Sequence, residues 1–253
     1  MLKRFNRFEL KYLITADQHE AIQRDLQAYM QPDANGQQGT YAITSLYYDT
    51  ANLAFMRAKI EGIKFRRKLR IRCYGNDMRQ PVLVEIKQRI NRTTQKRRVP
   101  LALDDAYALC AGRFDKEILH QSDATVADEV LFLVRAMALQ PTCLVGYQRQ
   151  AWVGGAYELG LRVTFDHALW TALPTSGLST EVTRHALVPP AFMVMEVKAN
   201  EAVPMWLANL LARHQCFLTR YSKYCAGVAR LDELELLSAV QGLVAHNEEF
   251  NGE

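Results

Sequence analysis

The stretch Lys64-Phe65-Arg66-Arg67-Lys68-Leu69-Arg70-Ile71-Arg72-Cys73-Tyr74 decides how this chain is read, because two patterns run through it at once. One parity carries Arg66, Lys68, Arg70 and Arg72, and the other Phe65, Arg67, Leu69, Ile71 and Cys73. Successive side chains point to opposite faces of a strand, so this alternation specifies a strand with one cationic face and one largely apolar face. Gly75-Asn76-Asp77 then supplies turn chemistry. Residues 81–90 repeat the pattern, with Glu85, Lys87 and Arg89 opposed to Val82, Val84, Ile86 and Ile90. Residues 92–99 put Arg92, Thr94, Lys96 and Arg98 on one parity.

Farther out the same design recurs. Arg7, Glu9 and Lys11 oppose Phe8, Leu10 and Tyr12, and Glu196 and Lys198 oppose Met195 and Val197. Tyr147 shares a side with Arg149, as Arg162 does with Thr164 and Asp166. Strands are therefore expected over 5–14, 41–49, 64–74, 81–90, 92–99, 142–153, 157–167 and 192–200, with Gly154-Gly155 as a hairpin signal. Helical spacing predicts helices over 16–29 behind Thr15 as N-cap, over 52–60, within 102–138 (the second from 126), from Pro204 to about 214, and over 222–230 and 233–245. Asp49 reads as a cap for the helix that follows it. No linker divides the chain, so residues 1–253 read as one domain, with 231–253 as a helical, acidic tail.

Composition sets outer limits. The 253 residues are 49% hydrophobic and 23% charged, which is globular rather than disordered. Residues 1–100 hold 20 Lys and Arg against 9 Asp and Glu, whereas the remainder holds 11 against 18. A basic half calls for an anionic ligand. No apolar run is long enough for a membrane span and no signal-like run follows the basic start. The five cysteines are scattered and form no CxxC pair, which argues against a zinc ribbon or disulfide framework and for a reducing cytoplasm. The six histidines form no ligand-spaced cluster.

Closing such a sheet, with helices over its apolar faces, gives an α+β fold whose barrel interior is polar. Like charges inside would repel unless an anion filled the space, so the interior calls for a small, densely negative ligand such as polyphosphate. Arg offers bidentate forks to phosphate oxygens and Lys a point charge. Glu85 is expected to pair with a neighbouring lysine, and Glu196 to hold a divalent cation bridging to phosphate.

The ordered set Arg7-Phe8-Glu9-Leu10-Lys11-Tyr12, Ser45-Leu46-Tyr47-Tyr48-Asp49-Thr50, Lys68 to Gly75, Val84-Glu85-Ile86-Lys87, Tyr147-Gln148-Arg149, Met195-Glu196-Val197-Lys198 and Tyr221-Ser222-Lys223-Tyr224 resembles the VTC domain. That is the polyphosphate polymerase domain of the vacuolar transporter chaperone complex, one of the CYTH-like triphosphate tunnel metalloenzymes. The resemblance implies an antiparallel eight-stranded β-barrel tunnel and transfer of the terminal phosphate of ATP onto polyphosphate with Mn2+ or Mg2+. It implies that Arg70, Arg72, Lys87, Arg149 and Lys223 serve catalysis, Lys223 from a helix closing one end. Lys11, Arg66, Lys68, Lys96, Tyr147, Arg162 and Lys198 would bind phosphate, Glu196 the metal, and Glu9 and Glu85 would support them. Without the additional regulatory domain and membrane spans of the eukaryotic assemblies, the chain is expected to be a free-standing tunnel domain, and a membrane-protein partner for the product stays open.

Three rivals are weighed against this. Nucleic-acid binding would interleave aromatics with the charges, and the parity from Arg66 to Arg72 has none, so no nucleic-acid partner is expected. Hydrolysis of triphosphate or polyphosphate fits less well, because hydrolytic relatives begin with E-x-E-x-K where this chain has Arg7-x-Glu9-x-Lys11. Binding of a phosphorylated ligand without turnover uses the same charges and stays open.

Overall fold

The computed structural model describes residues 7–237 apart from 76, 92, 116–118, 156–157, 159, 176, 179–180 and 201. The strands are β1 (Arg7–Thr15), β2 (Met30–Pro32), β3 (Thr40–Asp49), β4 (Phe65–Tyr74), β5 (Val82–Ile90), β6 (Thr93–Leu101), β7 (Gln140–Gly154), β8 (Arg162–Ala172), β9 (His185–Ala186) and β10 (Phe192–Asn200). The helices are α1 (Ala16–Leu26), α2 (Ala54–Ile60), α3 (Leu103–Cys110), α4 (Gln121–Met137), α5 (Met205–Arg213) and α6 (Lys223–Glu233). The fold is α+β, as expected.

The hydrogen-bonded order is β1-β10-β8-β7-β3-β4-β5-β6, with β2 added to β7 and β9 to β8. The expected closed barrel of eight strands is therefore corrected to a ten-stranded sheet whose path, among the described residues, does not return from β6 to β1. Both end strands have physical reasons not to pair. Along β1, Tyr12 bridges Leu218 and the Thr219 N–H donates to the Lys11 carbonyl at 2.8 Å, so that edge is occupied. Strand β6 is mostly exposed, charged, and contains Pro100, which has no N–H to give.

The chain divides into two compact units, each with its own apolar core. The first comprises the described residues of Met1–Ile43, Gly146–Leu169 and Val188–Ser222. Its core joins the apolar parities of β1 (Tyr12, Ile14), β8 (Val163, Phe165) and β10 (Met193, Met195, Val197) to Ile22 and Leu26 of α1 and Leu207 and Leu210 of α5. Helix α1 starts where the sequence places it. The Thr15 hydroxyl accepts from the Gln18 N–H while the Gln18 side chain accepts from the Thr15 N–H, a capping box.

The second unit comprises the described residues of Thr44–Val145, Trp170–Leu187 and Lys223–Glu253. Leu69 and Ile71 of β4, Val82, Val84 and Ile86 of β5 and Val99 of β6 pack there beneath Phe55 of α2, Leu109 of α3, and Val130 and Leu133 of α4. Helix α4 begins five residues before the expected start, because its first turn is polar and carries no apolar period. Strand β8 begins at Arg162 rather than 157, since a turn closed by Leu161 N–H to the Glu158 carbonyl intervenes. The acidic tail from 238 onward, and with it most of the helix expected over 233–245, lies outside the described residues.

Candidate functional site

Each unit carries its own cluster of charged side chains on the sheet face opposite its core. In the second unit the strand register lines the polar parities up in rows. Arg66 sits opposite Arg89, Lys68 opposite Lys87 and Lys87 opposite Lys96, while Glu85 is flanked by Arg70 and Arg98. Like charges directly across a strand pair are destabilising, so three neighbouring lysines make a surface that an anion would relieve.

Glu85 is the one carboxylate in those rows and is 1% exposed. It pairs with Arg70 at 2.6 Å, with Lys96, and with Arg72 at 3.9 Å, so the expected lysine pairing is present. Burial works against its charge, but Arg70, Arg72 and Lys96 hold its pKa at about 2. The two arginines are steered from β3: Arg70 Nη1 donates to the Tyr47 hydroxyl at 2.9 Å, and Arg72 Nε to Ser45 Oγ at 3.1 Å. Helix α6 packs against this cluster through Tyr224, whose ring stacks on Tyr47 at 4.9 Å and whose hydroxyl donates to Asp49. Asp49 also accepts the Phe55 and Met56 N–H groups at 2.8 and 3.0 Å, so it caps α2 as expected. Lys223, in the first turn of α6, is 7% exposed.

The first unit is built differently. Register places Lys11, Glu196 and Thr164 in one row, and Glu9, Lys198 and Arg162 in the next. Glu196 is buried and receives Lys11 at 3.1 Å, Lys198 at 3.4 Å and Arg149 at 3.9 Å, while Lys11 also reaches Glu9 at 3.3 Å. Arg149 forms a two-pronged pair with Asp166, at 2.6 and 2.8 Å, with its guanidinium 5.3 Å from the Tyr147 ring centre. Burial opposes the charge on Arg149, yet Asp166 holds it firmly protonated. Arg162 is held by Asp33 at 2.6 Å and donates to the Tyr41 hydroxyl at 2.8 Å.

Sequence reasoning assigned no role to Ser45, Tyr47, Asp33, Thr164 or Asp166. Ser45, Tyr47 and Asp49 alternate along β3, and that parity was the available signal. Asp33 lies just beyond a three-residue strand and gave none.

Among the described residues no group of three or more His, Cys, Asp or Glu is placed to hold a metal. Glu196 therefore offers one carboxylate, which suits magnesium or manganese bound through one acid and the oxygens of a phosphate ligand. Thr164 adds an observation in favour. Its hydroxyl is fully buried, lies directly across from Glu196 on the polar parity, and has no hydrogen-bond partner. An orphaned buried hydroxyl costs stability unless a ligand satisfies it.

A sequence profile of the VTC domain matches residues 6–232. The chain belongs to the VTC domain family. A vacuolar transporter chaperone complex subunit 4 of Trypanosoma brucei brucei is 24% identical over 224 residues, which cover 75% of this chain. The matched part is 28% of that subunit's length. Among solved structures, a Bacillus halodurans protein proposed to be an adenylate cyclase aligns with a TM-score of 0.50 at 12% identity, covering 86% of this chain and 95% of that one. It shares the fold with this VTC domain. A Pyrococcus horikoshii protein aligns at a TM-score of 0.45 and 12% identity over 86% of this chain and 96% of its own. No described helix of this VTC domain is long and apolar enough to cross a membrane.

Proposed function

We propose that this VTC domain is a polyphosphate polymerase that transfers the terminal phosphate of ATP onto a growing polyphosphate chain. The observation that carries the reading is the in-register row Lys68, Lys87 and Lys96 beside Arg70 and Arg72, a concentration of cations on a half-buried face that needs a dense polyanion. Family membership supplies the chemistry.

In this scheme a terminal oxygen of polyphosphate attacks the γ-phosphorus of ATP, the bond from that phosphorus to the ADP oxygen breaks, and ADP leaves. No protein nucleophile takes part. Arg70, Arg72, Lys87 and Lys223 in the second unit, and Arg149 in the first, are the cations assigned to aligning phosphates and stabilising charge as it spreads over their oxygens. Lys11, Arg66, Lys68, Lys96, Tyr147, Arg162 and Lys198 hold the remaining phosphates. Glu196, with the Thr164 hydroxyl, would hold manganese or magnesium, which would neutralise phosphate charge when bound. Arg149 and Arg162 enter the reaction already oriented by Asp166 and Asp33, so phosphate oxygens add to existing pairs. The Trypanosoma relative is named as a subunit of a complex, and a membrane-protein partner that accepts the polymer from a cytoplasmic domain belongs to the same proposal.

The test is incubation of the protein with ATP and manganese, with products separated on a gel and ADP and free phosphate counted. A polyphosphate ladder with matching ADP is the expected result. Free phosphate without a ladder would make the protein a hydrolase. Neither product, with a melting temperature still raised by tripolyphosphate, would make it a binding module.

A further inference from the structure

Tyr47 lies at the centre of the second unit's cluster, and the phosphoryl-transfer scheme gives it no task. Its ring is 5% exposed, wedged between the Tyr224 ring at 4.9 Å and the guanidinium of Arg70, 5.7 Å from the ring centre. Its hydroxyl oxygen accepts from Arg70 Nη1 at 2.9 Å, while Glu85 takes Arg70 Nε and Nη2 at 2.8 and 2.6 Å. An arriving phosphate oxygen competes with these acceptors for the same guanidinium. Glu85 does not yield, being held ionised far below its ordinary range. Tyr47 can, because a phenolate is a strong acceptor for an arginine and a neutral phenol a weak one.

We propose that Tyr47 is a proton-coupled positioning residue for the phosphate site: where it is ionised, its phenolate takes up a proton from solvent as the anion binds, and the neutral phenol so formed releases Arg70 to the phosphate. The inference rests on reading the Arg70 and Arg72 cluster as a phosphate site. The groups around Tyr47 fix the pH range. Lys68, Arg70, Arg72 and Tyr74 come from β4, Glu85 from β5 and Lys96 from β6. Tyr224, Lys223 and Cys225 come from α6, Cys143 from β7, and Asp49 from its own strand. Burial opposes ionisation of Tyr47, yet Arg70, Arg72 and Lys68 bring its pKa down to about 8. Burial pushes Tyr224 and the Cys143 thiol upward, so both stay neutral there. Tyr74 and Lys96 are also drawn down, Tyr74 by Arg72 against burial and Lys96 by burial itself, so the test must separate them from Tyr47.

The experiment follows tyrosinate absorbance in the near ultraviolet against pH, with and without saturating tripolyphosphate, in the full chain and in Tyr47→Phe and Tyr74→Phe. Melting temperature is recorded in parallel. Tyr47→Phe keeps the ring stack and removes only the hydroxyl. The expected result is an ionisation near pH 8 that is present in the wild type and Tyr74→Phe, absent in Tyr47→Phe, and moved up by about one pH unit or more on adding tripolyphosphate. By reciprocity, sulfate (a probe that does not itself titrate here) should bind the wild type about tenfold more weakly one pH unit above that ionisation, beyond any loss seen in Tyr47→Phe. Tripolyphosphate that raises the melting temperature while leaving the ionisation unmoved, or an equal pH slope in Tyr47→Phe, would overturn the coupling and leave the phosphate site standing. Tripolyphosphate that fails to raise the melting temperature of any variant would overturn both.

Discussion

The two charged clusters are made from the same residue types on strands of the same sheet, yet their charge balance differs. In the first unit Lys11, Arg149, Arg162 and Lys198 meet Glu9, Asp33, Asp166 and Glu196, and the cations and carboxylates match one for one. In the second unit Arg70, Arg72 and Lys96 gather on Glu85, Lys68 and Lys87 lie in register with Lys96, and Asp49 is taken up by the Phe55 and Met56 N–H groups and the Tyr224 hydroxyl. A balanced cluster is stable without a ligand and gains a phosphate best when a metal arrives with it. An unbalanced one stores repulsion that a phosphate chain relieves directly. Under the proposed function the first unit would take a metal-bound phosphate and the second bare phosphate oxygens.

The sharpest way to break this contrast is to remove the buried acid on which Arg70, Arg72 and Lys96 converge. The pKa of Glu85 is lowered from 4.5 to about 2, so its ionic contribution is fully present above pH 4.5 and is lost as pH falls towards 2. Glu85→Gln should be less stable than wild type by about 3 kcal/mol at neutral pH, with the gap closing through that acid window. Urea titrations across the window check this, and a gap independent of pH would mean that ionisation of Glu85 is not its source.

Next in size is Arg70→Ala. Loss of one buried phosphate contact in the transition state should slow ATP turnover on the order of a hundredfold. A normal rate in a correctly folded variant would remove the second unit's cluster from the chemistry.

Glu196→Gln should act in the opposite sense on binding. It leaves the first unit with surplus positive charge, so tripolyphosphate affinity measured with a chelator present should rise by roughly threefold to tenfold, while manganese no longer improves it. Affinity that still responds to manganese would take the metal role from Glu196. The smallest effect is expected at Thr164. Replacing its unpartnered, buried hydroxyl by the methyl of Thr164→Val should raise stability by about 1 kcal/mol without ligand. A loss of stability instead would mean that the hydroxyl already has a partner in the free protein.

Much of this molecule is written locally. The alternation in 64–74 and 81–90 fixed β4 and β5 to within a residue, because a one-residue slip would turn Leu69, Ile71, Val84 and Ile86 out of the core. Thr15 and Asp49 act as caps, since capping needs only a polar oxygen at the right chain distance from free N–H groups. The start of β8 and the first turn of α4 were less legible, because their boundaries follow turn hydrogen bonds and packing rather than period.

By itself, then, the sequence determined the two-faced strands, most helix positions, the family and the list of charged residues on the polar parities. The strands, helices and charged parities follow from side-chain alternation and chain-local capping, and the family from the resemblance of the ordered motifs. Only the tertiary structure decided whether the sheet closes and how many strands it has, because closure depends on what occupies the edges of β1 and β6. It also decided which carboxylate meets which cation. Pairs such as Arg149 with Asp166 and Arg162 with Asp33, like the bond from Arg70 to Tyr47, join different segments of the chain, and no periodicity within one strand carries that information.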